Sequence, residues 1–236
     1  MNCTLLYHSY MKIRVRKTVE QLWRGILDLI FPRNIWQKEF DSLHTNDIYQ
    51  LRPKSIDEYT WIHSLFDYKD TCIRESIHTL KYNGNKSVAQ KYGVLLHDYL
   101  IHILEDTITF EFSRTPPSFL LVPVPLHTHK KRDRGFNQAE LLVNEILKCD
   151  TTQLLFHIPN SIIKTRETPA QSSLSSKQKR MQNLQNCFSV PQPHILQDQY
   201  VILIDDLYTT GTTLERIRAL CFQAGARKVL AFTIAH

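Results

Sequence analysis

No two of the chain's five cysteines, at positions 3, 72, 149, 187 and 221, stand close enough to form a Cys-x-x-Cys pair. An odd number of scattered cysteines argues against a disulfide framework or a local zinc knuckle and suggests a reducing cytosol. No apolar stretch is long enough to span a bilayer. No stretch reads as a secretory leader with an apolar core and a small-residue cleavage site. A cytoplasmic location is the expectation. Internal repeats and low-complexity tracts are also missing. Hydrophobic content of 42% and charge of 22% are those of a soluble globular protein, and 236 residues suffice for one large domain, or one domain with a small appendage. A net charge of +6 permits an anionic partner but does not choose between a phosphorylated substrate and nucleic acid.

The most informative stretch that is present is Val201-Ile-Leu-Ile-Asp-Asp-Leu-Tyr-Thr-Thr-Gly-Thr-Thr-Leu214. A continuous apolar run predicts a strand buried on both faces of a parallel sheet. Ligands of such sheets bind outside the carboxyl ends of the strands. Adjacent strand residues point to opposite faces, so Asp205 and Asp206 cannot be aimed alike. At the strand end one can meet ribose hydroxyls while the other orders the loop or a Mg²⁺ shell. Thr209, Thr210, Thr212 and Thr213 offer hydroxyls, and Gly211 allows close backbone approach. Thr212 and Glu215 have capping-box spacing, and the helix they open can receive a phosphate on its amides. No lysine follows the glycine, which excludes a Walker A loop. The plainer alternative is a buried strand ending in an acidic turn and a capped helix.

The rest of the chain supplies candidate partners. A basic segment over 11–17 leads into an amphipathic helix with Val19, Leu22, Trp23, Ile26, Leu27 and Ile30 on one stripe, ended by Pro32. Such a helix can lie on a membrane face or on a partner; packing on the chain's own core is the expectation. Residues 33–62 show weak periodicity. A short strand is expected from Leu65 to Tyr68, and helices over Thr71–Tyr82 and Ser87 to about Glu105, with Asn83-Gly84-Asn85 between them. His78 and Lys81, near the end of the first helix, read as surface residues, Lys81 with a minor claim to anion contact.

A buried strand over Ser118–Val122 ends at Pro123 and Pro125, which cannot donate ladder hydrogen bonds. A basic loop follows, then a helix from Asn137 to about Lys148 with Asn137 as N-cap and Phe136 and Leu141 as a staple. Its N-terminus carries Arg132, Arg134, Asn137 and Gln138, an anion site by dipole and charge. Strands are expected at Ser161–Lys164, Cys187–Val190, Tyr200–Ile204 and Lys228–Ala235, with a helix over Thr213–Ala224. The long polar stretch 165–183 reads as functional or disordered, a mobile lid being the functional reading.

The strand–acid–threonine stretch resembles the 5-phosphoribosyl-1-diphosphate (PRPP) motif of type I phosphoribosyltransferases. Taken with Val122-Pro-Val-Pro-Leu126, Arg134-Gly-Phe-Asn-Gln138, Arg166-Glu-Thr-Pro-Ala-Gln171 and Lys179-Arg-Met-Gln-Asn183, it resembles the ComF (ComFC/GntX-like) family. His78-Thr-Leu-Lys-Tyr82 and Leu27-Asp-Leu-Ile-Phe-Pro32 are similar to that family's N-terminal half. The resemblance implies an α/β fold with a parallel sheet of about five strands flanked by helices and an N-terminal helical hood.

Residues 1–64 would be the N-terminal helix and a degenerate zinc-module region, and 65–236 the phosphoribosyltransferase-like domain. Asp205 and Asp206 would hold ribose hydroxyls, and residues 206–213, with Leu207, Tyr208, Thr209, Thr210, Gly211, Thr212 and Thr213 after Asp206, would hold the 5′-phosphate. Val124, Pro125 and Arg134 would face the diphosphate, together with lid residues Arg166, Lys179 and Arg180. Asp205, Asp206 and Arg134 would be the catalytic group, and Mg²⁺ would enter with PRPP, with Asp205 as its protein contact. No general base stands out among His127, His129 and His157. The family's four-cysteine zinc module has no counterpart in the cysteine-free stretch 33–60, so zinc is not expected.

Two functions are implied. One is phosphoribosyl transfer to an unknown acceptor with release of diphosphate. The other is a non-catalytic PRPP-binding role in competence and DNA uptake, with single-stranded DNA or competence proteins as partners, at or near the inner membrane face.

Overall fold

The structure, a computed structural model, describes residues 35–42, 60–111, 117–166 and 187–236. Two compact units divide the chain between Ser42 and Leu43. In the first, helix α1 (Ile35–Ser42) is described; its last turn is closed by Ser42 Oγ donating to the Glu39 carbonyl at 2.7 Å. The basic amphipathic helix expected before Pro32 lies outside the described residues, as does most of the cysteine-free stretch.

The second unit runs β1 (Ile62–Phe66), α2 (Thr71–Asn83), α3 (Lys86–Glu111), β2 (Phe119–Pro123), α4 (Thr128–Arg134), α5 (Gln138–Cys149), β3 (Leu155–Phe156), β4 (Ile163–Lys164), β5 (Phe188–Ser189), β6 (Tyr200–Leu207), α6 (Thr212–Gln223) and β7 (Lys228–Ala235). Five of these strands form one parallel sheet in the order β1-β7-β6-β2-β3. The apolar runs of β6 and β7 place them at its centre, where Ile202, Leu203, Ile204, Ala231 and Phe232 are fully buried. Each such Ile, Leu or Phe contributes roughly 1.5–3 kcal/mol of burial. Helices α2, α3 and α5 pack on one another as a layer, with α5 also on β2 and β6, while α6 packs on β7. A sheet core buried on both faces is what an all-parallel sheet flanked by helices requires.

Local chemistry sets the helix ends. Asp70 caps α2 by accepting from the Ile73 amide at 3.1 Å, and Gly84 ends it in the left-handed region at φ 57°. Asn137 caps α5, as its sequence predicts, but bonds the Ala139 amide at 3.1 Å; Glu140 turns instead to Lys131, 2.8 Å away. Gly93 of α3 lies against Glu145 of α5, where a Cβ would collide with the Glu145 side chain.

Several expectations are corrected. The first strand begins at Ile62 rather than Leu65, so it straddles the 64/65 boundary drawn from the sequence. In the 154–164 stretch the sheet's edge strand is Leu155–Phe156, not 161–164. The strands expected at 161–164 and 187–190 do form, but as a separate antiparallel ribbon, with Ile163 opposite Ser189 and Lys164 opposite Phe188. Ile162, Cys187 and Phe188 are buried there, and the two short strands pair with each other rather than with the main sheet. The basic loop after the prolines is a short helix, α4, closed by Gly135 at φ 80°. Helix α6 is capped by Gly211 at φ 70° with no side-chain cap, so Thr212 is a helical residue and the expected capping box does not form.

Candidate functional site

The carboxyl ends of β2, β6 and β7 lie level with one another. Pro123 stands opposite Ile204, and Asp205 opposite Thr233. The Val124 amide donates to the Ile204 carbonyl at 2.9 Å, and the Tyr208 amide to the Ala235 carbonyl at 2.8 Å. Asn137 Nδ2 donates to the Val124 carbonyl at 3.1 Å, which ties the proline loop to the start of α5. These bonds hold three loops in register around one strand end.

Both acids lie within β6, which runs through to Leu207, and they separate by face as strand geometry demands. Asp206 is 3% exposed, and its Oδ1 lies 3.3 Å from Lys81 Nζ on the last turn of α2. Its Oδ2 is buried and has no hydrogen-bond partner. Asp205 is half-buried and its Oδ1 accepts from the Asp206 amide at 2.9 Å. Burial, then the Asp206 charge, pushes the Asp205 carboxyl well above the usual carboxylate range, against the opposing pull of that amide and of Lys81 and Lys164. Burial alone would lower the Lys81 ammonium, but Asp206 and then Asp205 outweigh it and hold it above its ordinary value.

The loop beyond the acids behaves as the glycine predicts. A small cavity of about 30 Å³ is lined by Asp205, Leu207 to Thr209 and Gly211 to Leu214. That exceeds the space of one water and is far below that of a nucleotide. A Cβ on Gly211 would stand 2.9 Å from the Tyr208 ring, so position 211 needs glycine for both its φ and its space. Gly211, the N-cap of α6, has no side chain to cap the first turn, and its carbonyl accepts from the Glu215 amide at 2.8 Å. Thr210 and Thr212 hydroxyls pair at 3.0 Å.

The other expected residues are dispersed. Arg134, at the end of α4, donates to Gln138 Oε1 at 3.1 Å and lies over the Tyr82 ring at 5.3 Å. Tyr82 follows Lys81, so one turn of α2 touches both Asp206 and Arg134. Val124 is buried at the strand end. Pro125 lines a second, larger cavity of about 450 Å³, with Lys131, Glu140, His157, Lys164 and their neighbours, and not the cavity beside the acids. Arg166 is exposed at the end of the β4–β5 ribbon. Lys179 and Arg180 lie outside the described residues. His127 caps α4, its Nδ1 accepting from the His129 amide at 3.3 Å, and His157 Nδ1 pairs with the Leu121 carbonyl at 2.9 Å. The residue that sequence reading underrated is Lys81: its partner is distant in sequence, and its position near a helix end reads as surface.

No family model matches the chain. Among curated proteins it is 29% identical over 174 residues to competence protein ComFC of Bacillus subtilis, covering 72% of this chain and 62% of that protein. It is 30% identical over 156 residues to the DNA utilization protein YhgH of Escherichia coli K12, covering 65% of this chain and 62% of that protein. Over 119 residues it is 35% identical to competence protein F of Haemophilus influenzae, covering 49% of each. The chain is thus similar to competence and DNA utilization proteins over 65–72% of its own length. It spans 62% of the length of ComFC and of YhgH.

Among solved structures, it is similar to glutamine PRPP amidotransferase from B. subtilis at 16% identity and TM-score 0.37, covering 66% of this chain and 30% of that one. It is also similar to the allosteric regulatory enzyme of purine biosynthesis at 18% identity and TM-score 0.29, covering 55% of this chain and 24% of that one.

Proposed function

We propose that the carboxyl end of β6 binds PRPP and that the chain transfers its phosphoribosyl group to an acceptor, releasing diphosphate. The observation that carries this reading is the buried, unpartnered Asp206 Oδ2 beside a glycine-opened helix N-terminus. An orphaned carboxylate oxygen in the protein interior calls for a donor from a ligand, and a helix N-terminus a few residues on calls for an anion. A sugar phosphate supplies both. Asp206 and Asp205 accept from ribose hydroxyls, the loop from Leu207 to Thr213 holds the 5′-phosphate, and the Val124–Pro125 loop and Arg134 face the diphosphate. Arg166, Lys179 and Arg180 belong to the segment that would cover the diphosphate.

In the transfer the bond from the anomeric carbon to diphosphate oxygen breaks, and its electrons leave with the diphosphate. A lone pair of the acceptor forms the new bond, and the acceptor's proton passes to solvent. Positive charge that develops on the sugar is stabilised by the two acids, and negative charge on the leaving group by Arg134. Mg²⁺, bound with PRPP and within reach of the half-buried Asp205, would screen the diphosphate charge.

A second reading, PRPP binding without turnover in the handling of DNA, is favoured by one feature. Helix α4 exposes Lys131 and Arg132, with Lys130 half-exposed, on one short turn, and the relatives are named for competence and DNA utilization. Calorimetry with Mg²⁺ and PRPP, followed by a diphosphate-release assay with pooled bases, tests both. Binding that is lost in Asp205→Ala/Asp206→Ala supports the site, and binding indifferent to that change overturns it. Binding without diphosphate release from any acceptor leaves the second reading in place.

A further inference from the structure

We infer that Lys81 is a positioning residue for Asp206, and that by fixing this carboxylate it makes the site select an intact vicinal diol; this rests on the phosphoribose reading above. Lys81 Nζ holds Asp206 Oδ1 at 3.3 Å while Oδ2 stays buried and unpartnered. A carboxylate held by one oxygen has the direction of the other fixed. The side chains are 23% and 4% exposed, so the pair is shielded from water and weakly screened. Asp205 is arranged likewise, its Oδ1 occupied by the Asp206 amide. Each acid therefore spends one oxygen inside the protein, and Asp206 Oδ2 is left a buried acceptor without a hydrogen-bond partner. A hydroxyl satisfies it; a phosphate or carbonyl oxygen repels it.

Lys81 is itself held in place. The α2 helix that carries it is capped by Asp70, stopped by Gly84, and pinned in its middle by Ser76 Oγ against Tyr92 Oη at 2.5 Å. Tyr82, the next residue, packs against Arg134. With the lysine fixed on Oδ1, a sugar lacking the matching hydroxyl leaves Oδ2 buried and unpaired, and that penalty is the source of selectivity. Without the lysine, Asp206 loses its fixed orientation and turns toward water or the adjacent acid's ligand, and the missing hydroxyl ceases to matter.

The test is calorimetry on the full chain with ribose 5-phosphate and its 2-deoxy and 3-deoxy counterparts. The unmodified protein is expected to bind ribose 5-phosphate about 10–100-fold more tightly than at least one deoxy sugar. Lys81→Met should bring that ratio to within about threefold of unity, Lys81→Gln should fall between, and Lys81→Arg should restore most of it. A purely structural role would lower the melting temperature and all three affinities alike, leaving the ratio untouched. An unchanged ratio in folded Lys81→Met overturns the positioning role while the phosphoribose reading stands. Failure of the unmodified protein to bind any of the three sugars overturns both. If Lys81→Met does not fold, the Gln and Arg variants carry the same comparison.

Discussion

The neighbouring ends of β6 and β2 carry opposite chemistry and line different cavities. β6 carries its acids inside the strand, one of them 3% exposed and ion-paired, and passes into a loop anchored by Gly211. β2 ends on prolines and passes into a short, basic, exposed helix whose Lys131 pairs with Glu140 in water. The buried end can discriminate, because an unmet polar group there has no water to turn to. The exposed end can attract and steer an anion, but its contacts are screened and individually weak.

Each prediction sharpens or breaks that contrast. The largest effect should come from Asp206→Ala. Binding of Mg²⁺–PRPP is expected to fall at least ~100-fold. Stability should fall by about 2 kcal/mol, less than the ~3–5 kcal/mol of a fully buried pair, since Lys81 retains 23% exposure. Titration calorimetry and urea unfolding measure the two. Gly211→Ala comes next. A side chain at φ 70° that also presses on Tyr208 should cost roughly 1–2 kcal/mol in denaturant unfolding. It should also weaken PRPP binding about tenfold without altering charge.

Arg134→Ala should weaken PRPP binding by only about three- to tenfold at low salt, with the loss shrinking as salt rises. The Asp206→Ala loss should be nearly indifferent to salt. If Arg134→Ala proves the larger and salt-independent loss, the contrast between the two ends is inverted.

Asp205→Asn tests the electrostatics of the buried end by pH. A carboxyl whose folded pKa is raised binds its proton more tightly folded than unfolded. Stability therefore falls as pH rises from the ordinary value near 3.8 through the raised folded value. The Asn variant should melt a few degrees higher near neutral pH, about 1 kcal/mol, and the gain should vanish towards pH 4. Smallest of all, Lys131→Ala should change stability by less than about 0.5 kcal/mol, the usual worth of an exposed pair; a loss well above that would mean the basic helix is less peripheral than its exposure indicates.

What the sequence disclosed and what it hid divide along the same line. The β6 strand was legible because a short apolar run bounded by a polar, glycine-bearing turn reads as a buried strand, but the start of α6 was not: the spacing pointed to a Thr212–Glu215 capping box, whereas Gly211 is the cap. The Asn137 cap was legible because a side-chain acceptor stands directly before the helical run. Helix α4 was not, since Thr-His-Lys-Lys-Arg-Asp-Arg has no apolar stripe to give a period. The two-residue strands β3, β4 and β5 are too short to alternate, so their pairing depends on where the sheet edge falls. The Lys81–Asp206 pair is invisible to any window, because only the packing of α2 beside β6 brings it together.

The position of β7 has a consequence for how this molecule comes to exist. β1 joins the sheet through β7, and the Ser64–Thr233 hydroxyl bond at 2.7 Å spans 169 residues of sequence. Until β7 has been synthesised and seated, β1 has no neighbour in the sheet and β6 lacks the partner that lies opposite Asp205. Long-range parallel pairing of this kind closes slowly, so the strand edges of β1 and β6 are exposed on the nascent chain while synthesis is still under way. The acid pair is thus among the last features to be assembled, and chaperone dependence during translation should be greater for this chain than its compact final sheet suggests.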